Sequence, residues 1–456
     1  MNDERIHFIG IGGSGMSGIA RILLELGYNV SGSDIVQSET TERLKQLGAI
    51  VYFGQDADNL KKADIVVYST DVPNDNVELK AAREQGLRVL HRSEMLAQLM
   101  EGKLAVTVAG THGKTTTASM LAWVLEKNHQ DPSFVVGSEI TGLGVNAKSG
   151  VSKFFIAEAD ESDGSFLNYS PNISIITNIE PDHLENYGGD FFRLFAAYKD
   201  FQDRVVENGT TILCYDDRYV RELMKKVPGN YITYGFSPDA DYRPIQIVRQ
   251  GQYTTFGVFS KQDGMLGGIK LSLPGDHNIV NSLAVLIAAR ELGLSFDEIS
   301  SALTKFEGVK RRFQFKGEVN GVTVIDDYGH HPTEIMATVD AAKQLGGRII
   351  VAFKPLRYAR TFYFLEEFGK AFEDVDEIIV TEIYSPSGDS MHDKVDTKKL
   401  VEAIKRVSNK EVRYCATSEE LVDYLVATVT PGDLVITQGA GDIWAVGEQL
   451  LARLDN

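Results

Sequence analysis

Short apolar runs, each followed by a glycine turn and then by residues in helical spacing, recur along this chain and predict parallel strands joined by helices. The first run, Ile6–Ile9, leads into Gly10, Gly12, Gly13 and Gly15, with a helix expected from there towards Gly27. A second strand, Tyr28–Ser33, stops at Asp34. Further apolar runs at Ile65–Tyr68 and Leu87–Leu90 continue the alternation, so residues 1–103 read as a small doubly wound sheet. The same rhythm restarts at Leu104–Val108 and runs on through Phe154–Ala157 and Ile173–Thr177. Around Tyr231–Leu273 it gives way to short polar strands separated by turn residues, which predict a small antiparallel patch. A helix is expected over Asn278–Leu292, and Phe306–Lys316 reads as the exit from this middle region. Strands at Val322–Ile325, Arg348–Phe353, Glu377–Thr381 and Asp433–Thr437 then alternate with helical stretches. The expected architecture is α/β in three domains, 1–103, 104–309 and 310–456.

Length agrees with that division, since 456 residues exceed what one hydrophobic core supports. A hydrophobic content of 43% describes a folded globular chain rather than a disordered one. The opening MNDERIHFIG carries acidic residues and only a short apolar run, unlike a signal peptide, and no run approaches the ~20 apolar residues of a membrane span. Cys214 and Cys415 lie far apart without metal-type spacing, so a reducing cytoplasm, no disulfide and no membrane association are expected. The net charge of −18 argues against a nucleic-acid partner, which needs a basic footprint. It leaves nucleotides open, because surface charge is screened beyond ~8 Å and local groups decide.

The strand Leu104–Val108 feeds Gly110, Thr111, His112 and Gly113, then Lys114 and Thr115–Thr117 at a helix start. A glycine turn at a helix N-terminus leaves backbone N–H groups aimed at one point. Lys114 adds a cation there, and Thr115 a hydroxyl suited to a phosphate-bound Mg²⁺, with Thr116 in the same turn. A nucleoside triphosphate cradle is the expected result, although Val108 stands where the general pattern has its first glycine. The N-terminal turn, with Gly12, Gly13, Ser14, Gly15 and Met16 before a helix and Asp34 after the next strand, fits a pyrophosphate-bearing ligand. Its glycines do not separate NAD from a nucleotide sugar.

Two acidic segments follow buried strands. In FFIAEADESDGSF, Glu158 stands just past a strand, a position suited to Mg²⁺, while Asp160, Glu161 and Asp163 read as members of a solvated turn. In ISIITNIEPDHLENYG, the strand ends in Asn178, Glu180, Asp182 and His183, and His183 is a candidate ligand or substrate contact. Asn278 and Asn281 lie one helical turn apart. Arg311 and Arg312 could each grip phosphate, Asp326, Asp327, His330 and His331 gather at a strand end, Arg357 and Arg360 follow, and Gln438–Asp442 form another glycine turn.

Taken in order, HFIGIGGSGMSGIA, AGTHGKTTT, EADESDGSF, TNIEPDHL, DHNIVNS, RRF and DDYGHHPTE resemble the motifs of the Mur ligases, most closely the members that add alanine. The resemblance spans the whole chain. It implies a Rossmann-like N-terminal domain for the UDP moiety, a P-loop ATPase-like central domain for ATP and Mg²⁺, and a Rossmann-like C-terminal domain that completes the site. The implied substrates are UDP-N-acetylmuramic acid and L-alanine, joined through an acyl phosphate in a cytoplasmic monomer or weak homodimer. By carry-over, Gly12–Met16, Asp34, Ser69, Thr70 and Arg92 serve the UDP substrate. Gly110–Thr116, Asn178, Asn278, Asn281, Arg312 and Asp327 serve ATP, and Thr115, Glu158 and His183 the metal. Lys114, Glu158, His183, Arg312 and Asp327 are the implied catalytic set, and His331, Arg357 and Arg360 face the acceptor and amino acid. Three positions depart from what such ligases commonly have: Gln55 in place of His, Leu356 in place of His, and the segment from Tyr384 to Ser390. Lys199 does not align with the carbamylated lysine of some relatives. The alternatives are a recycling ligase that attaches a preformed peptide to the same acceptor and, from another class, an NAD-binding oxidoreductase.

Overall fold

The structure is a computed structural model that describes residues 4–385 and 391–455. They form two compact units, the first comprising residues up to 245 with 257–269 and 280–306, the second comprising 246–256, 270–279 and 307 onward.

The first unit opens with a five-stranded sheet in the order Ile50–Phe53, Asn29–Asp34, Arg5–Ile9, Ile65–Tyr68, Arg88–His91. All its pairings are parallel. The first strand is central and the order reverses on either side of it, a topology that leaves a crevice at the carboxyl ends where the glycine turn sits. Buried Ile6, Phe8, Val30 and Val67 make the sheet apolar on its covered faces. The helix Ser14–Glu25 starts on Gly13 with no side-chain cap.

A second, larger sheet is built around Leu104–Ala109, flanked by Phe154–Glu158 on one side and Ile173–Ile176 on the other, all parallel. All three strands are nearly devoid of polar side chains, the signature of strands covered on both faces. Their carboxyl ends therefore lie side by side, and each carries one of the motifs singled out in the sequence. Beyond Phe154–Glu158 the sheet continues into Ser133–Ile140, which turns back through an antiparallel pairing with Val145–Lys148. At the opposite end, Tyr242–Gln250, Tyr253–Ser260 and Gly264–Leu271 follow Tyr231–Tyr234 in sheet order. The connections between these last three strands are too short for a parallel crossover, so they are hairpins, the antiparallel patch expected from the sequence.

Within this unit the first helix packs on the hairpin of the larger sheet. A Cβ on Gly18 would meet Val135 at 3.0 Å and Ala147 at 3.2 Å. Elsewhere in the unit, ion pairs Arg43–Glu139 and Arg92–Asp160 join segments of the smaller sheet to segments of the larger one.

The second unit is built on a six-stranded sheet in the order Gln314–Val319, Val322–Asp327, Asp433–Gly439, Arg348–Lys354, Glu377–Val380, Val412–Tyr414. Only the pairing of the first two is antiparallel. No helix among the described residues is long and apolar enough to cross a membrane.

Candidate active site

The strand Leu104–Ala109 delivers its chain into a loop whose conformation depends on two glycines. Gly110 has φ +129°, and a Cβ there would collide with Thr177 Oγ1 at 2.1 Å. Gly113, at φ +82°, is the left-handed residue from which the helix Lys114–Lys127 starts, with no side chain capping that helix. The free N–H groups of its first turn are thus left to a ligand, as an anion cradle requires. Asn281 Oδ1 would stand 3.0 Å from a Cβ on Gly113, so a side chain there would be crowded as well as strained.

The neighbouring strand end holds this loop. The His112 N–H donates to Asn178 Oδ1 at 2.9 Å, Asn178 Nδ2 donates back to the His112 carbonyl at 3.0 Å, and Thr177 Oγ1 donates to the same carbonyl at 2.6 Å. Asn178, expected around the nucleotide, has its amide engaged with the loop backbone. It shapes the cradle rather than lining it with a free amide.

Lys114 lies in the mouth of the loop. Its ammonium donates to the Gly110 carbonyl at 2.6 Å and to Glu161 Oε1 and Oε2 at 2.9 and 2.8 Å. Burial opposes the charge, but the carboxylates of Glu161 and Asp160 more than offset it, and the lysine pKa lies above its ordinary value. Glu161 is 2% exposed, which corrects its reading as part of a solvated turn. Asp160 accepts from Arg92 Nη2 at 2.7 Å, and Asp163 accepts from Thr70. Burial pushes the Asp160 carboxyl up, yet Lys114 and Arg92 outweigh it and hold the pKa at about 2. All three acids of the segment therefore have specific partners, because the loop is pinned between the phosphate loop and the first sheet.

Thr115 Oγ1 donates to Glu158 Oε2 at 3.1 Å, and the Gly137 N–H donates to Glu158 Oε1. A Cβ at Gly137 would lie 3.0 Å from both Glu158 Oε1 and Thr115 Oγ1, so the glycine keeps space open against this pair of oxygens. A hydroxyl and a carboxylate with open space beside them suit Mg²⁺, a hard cation that prefers oxygen. His183 takes the left-handed conformation at φ +53°. Its ring lies 3.6 Å from Asp182 and 3.9 Å from Glu185, and it acts electrostatically on Glu161.

At the N-terminal turn, Asp34 Oδ2 accepts from the Gly12 N–H at 2.8 Å and Oδ1 from the Val36 N–H at 3.1 Å. The acid at the end of the second strand thus braces the glycine turn itself. Thr70 Oγ1 lies 3.1 Å from His91 Nε2, and His91 caps the helix that begins with Arg92. Ser69, Thr70 and Arg92 share the carboxyl edge of the first sheet with Gly12–Met16. Gln55 accepts from Asn76 Nδ2 at 2.5 Å.

In the second unit the structure separates two adjacent arginines. Arg311, at φ +62°, is committed to backbone carbonyls, donating to Gly439 at 2.7 Å and to Gly441 at 3.1 Å, and to Asp326 at 3.1 Å. Arg312 pairs with Glu334 at 3.1 Å. Asp327 accepts from the N–H groups of Phe313 and Gly329 at 2.8 and 2.7 Å and from Gln438 Nε2 at 2.8 Å, so it organises the surrounding loops. His331 is the N-cap of Pro332–Leu345, and its Nδ1 accepts from the Thr333 N–H at 3.3 Å. Asn278, also in this unit, donates to the Pro274 carbonyl at 2.7 Å. Arg357 has φ +66°, and Arg360 is buried. Leu356 bridges to Tyr384, while Pro386–Ser390 of the divergent segment lie outside the described residues.

Comparison with known proteins identifies the family. Family models match residues 5–104 (Mur ligase family, catalytic domain), 108–289 (Mur ligase middle domain) and 311–441 (Mur ligase, glutamate ligase domain). The chain belongs to the Mur ligase family. Among similar Mur ligases, UDP-N-acetylmuramate–L-alanine ligase of Pelotomaculum thermopropionicum is 49% identical over 99% of this chain and 98% of its own. The protein of that name from Geobacter sulfurreducens is 46% identical over 99% and 98%. The crystal structure of UDP-N-acetylmuramate-alanine ligase from Thermotoga maritima superposes with a TM-score of 0.83 at 30% identity, covering 98% of each chain. A murein peptide ligase from Psychrobacter arcticus shares the fold, with a TM-score of 0.74 at 24% identity.

Glu161, which reasoning from the sequence placed in a solvated turn, is the partner of Lys114 that escaped recognition. Its sole advance signal was its place three residues after Glu158 in the segment facing the phosphate loop.

Proposed function

We propose that this Mur ligase joins L-alanine to the lactyl carboxylate of UDP-N-acetylmuramic acid, with ATP converted to ADP and phosphate, in cytoplasmic peptidoglycan precursor synthesis. The observation that carries this reading is the grouping of Lys114, Thr115 and Glu158 at the head of one uncapped helix, in a chain whose full-length relatives bear the name of that activity.

A carboxylate is a poor electrophile, because its negative charge repels an amine. Transfer of the terminal phosphoryl group gives an acyl phosphate, and the amine of alanine then attacks the acyl carbon and expels phosphate. Both partners in the first step are anionic. The helix N-terminus and Lys114 offset that repulsion for the phosphates, and their alignment supplies the rest. Thr115 and Glu158, with His183, would hold Mg²⁺, whose contribution is to neutralise charge on the phosphoryl oxygens. Asn178 fixes the loop, and Asn281 lies beside its glycine, around the nucleotide in this reading. The turn Gly12–Met16 with Asp34, Ser69, Thr70 and Arg92 takes the UDP substrate in this reading. Arg312, Asp327 and Asn278 serve the nucleotide, and His331, Arg357 and Arg360 serve the acceptor and the amino acid. Neither cysteine belongs to a motif, and both are buried, in keeping with chemistry that needs no thiol nucleophile.

Competition between L-alanine and a preformed tripeptide for the same acceptor, with products resolved by mass, tests the assignment. Alanine addition predicts the alanyl product almost exclusively. Predominant tripeptide addition would assign the chain to peptide recycling instead.

A further inference from the structure

The ammonium of Lys114 has three protons, and its four acceptor contacts come from this chain: both oxygens of Glu161, the Gly110 carbonyl, and the Thr111 carbonyl at a longer 3.3 Å. A phosphate oxygen can reach that ammonium only by taking a proton now directed at one of them. The two carbonyls belong to the loop that forms the cradle, so they move with the lysine. Glu161 belongs to a different segment.

Glu161 is also poorly able to retreat. Its carbonyl accepts from the Gly164 N–H at 3.1 Å and from the Tyr187 hydroxyl, which fixes the backbone from which the carboxylate extends. The preceding residue, Asp160, is held in another direction by Arg92, and its Oδ1 accepts from the Ser162 N–H at 3.1 Å. Adjacent acids thus serve two different cations, and they cannot exchange roles without breaking both pairs. A fixed carboxylate beside the cradle holds the ammonium that an entering phosphate must win.

We infer that Glu161 is a positioning residue that competes with nucleotide phosphate for the Lys114 ammonium, and so weakens nucleotide binding at the loop. The inference rests on the reading of Lys114 as the phosphate-binding lysine. Its consequence is a loop that takes up a triphosphate against a built-in counter-ion and releases the diphosphate readily, because the counter-ion returns as the phosphate leaves.

Titration of the full-length chain with Mg-ADP, for the parent, Glu161→Gln, Lys114→Ala and the double variant, tests this. Glu161→Gln keeps the shape of the side chain and removes its charge. It is expected to tighten ADP about tenfold, the scale of one hydrogen bond to a charged group. A purely structural role would move affinity the other way. Lys114→Ala should weaken ADP, and in that background Glu161→Gln should have little further effect, since no ammonium is left to compete for. Unchanged or weaker ADP binding in Glu161→Gln, with Lys114→Ala still impaired, overturns the inference and leaves the ATP reading standing. Full ADP affinity in Lys114→Ala overturns the ATP reading itself. Should Glu161→Gln fail to fold, Glu161→Asp, with its charge withdrawn by one methylene, is expected to tighten ADP by a smaller factor, and unchanged or weaker binding there overturns the inference equally.

Discussion

Lys114, Thr115 and Glu158 owe their proximity to two backbone facts: a left-handed glycine begins the helix, and the strand carrying Glu158 is the immediate neighbour of the strand carrying the loop. Removal of one preorganised cation from a charge-developing site costs roughly a hundredfold or more in turnover. Lys114→Ala is therefore expected to reduce ADP formation by at least about a hundredfold, measured at saturating acceptor and amino acid. Activity within about threefold of the parent would show that the phosphates are held elsewhere. The placement of Lys114 at a helix start was legible in the sequence because Gly-Lys-Thr after an apolar strand has a mechanical meaning independent of context. That of Glu161 was not. Four acids within a short loop look alike in a string of letters, and only the packing of the loop decides that one is 2% exposed and another pairs with Arg92.

Among elements, the parallel strands that carry motifs were readable as uninterrupted apolar runs, since both of their faces are covered. Strands such as Ile50–Phe53 and Val145–Lys148 were not read. Ile50 and Phe53 are exposed at a sheet edge, and Val145–Lys148 is a short polar strand that exists through its pairing with Ser133–Ile140. The helix Ser14–Glu25 illustrates a glycine whose purpose sequence could not reveal. Gly18 lies beyond the glycine turn, yet it is the point at which this helix touches Val135 and Ala147. Gly18→Val inserts a branched side chain into that contact and is expected to cost about 1–3 kcal/mol, the usual range for overpacking. Urea unfolding followed by circular dichroism measures it. A midpoint equal to that of the parent would mean that the helix and hairpin are not tightly packed.

At the scale of the whole molecule, the first unit is held together partly by charge, and this fixes a direction for its acid sensitivity. Asp160 has its pKa depressed from 3.8 to about 2 by Lys114 and Arg92. A depressed carboxyl contributes stability that is fully present above its unfolded-state value and is lost as pH falls through the folded-state value. The contribution of Asp160 is thus complete above pH 3.8 and disappears as pH falls to about 2. Asp160→Asn should flatten the acid limb of a stability–pH profile in that window while lowering stability at neutral pH. A variant profile parallel to that of the parent throughout would contradict the assignment of the shift.

The three-part α/β architecture was visible from its three strand–glycine–helix openings. The residues that tie those parts into each unit, such as Arg43, Glu139 and Asp163, gave no advance sign, because their partners are remote in sequence. The whole molecule is an amide-bond synthetase, in which the phosphoryl group passes to a carboxylate, not to water. ADP release and product formation, followed together with Mg-ATP, UDP-N-acetylmuramic acid and L-alanine, test that most directly. The expected result is one alanyl product per ADP, with neither formed at an appreciable rate when the acceptor is omitted. Sustained ADP release without the acceptor, or ADP release with no alanyl product, would contradict it.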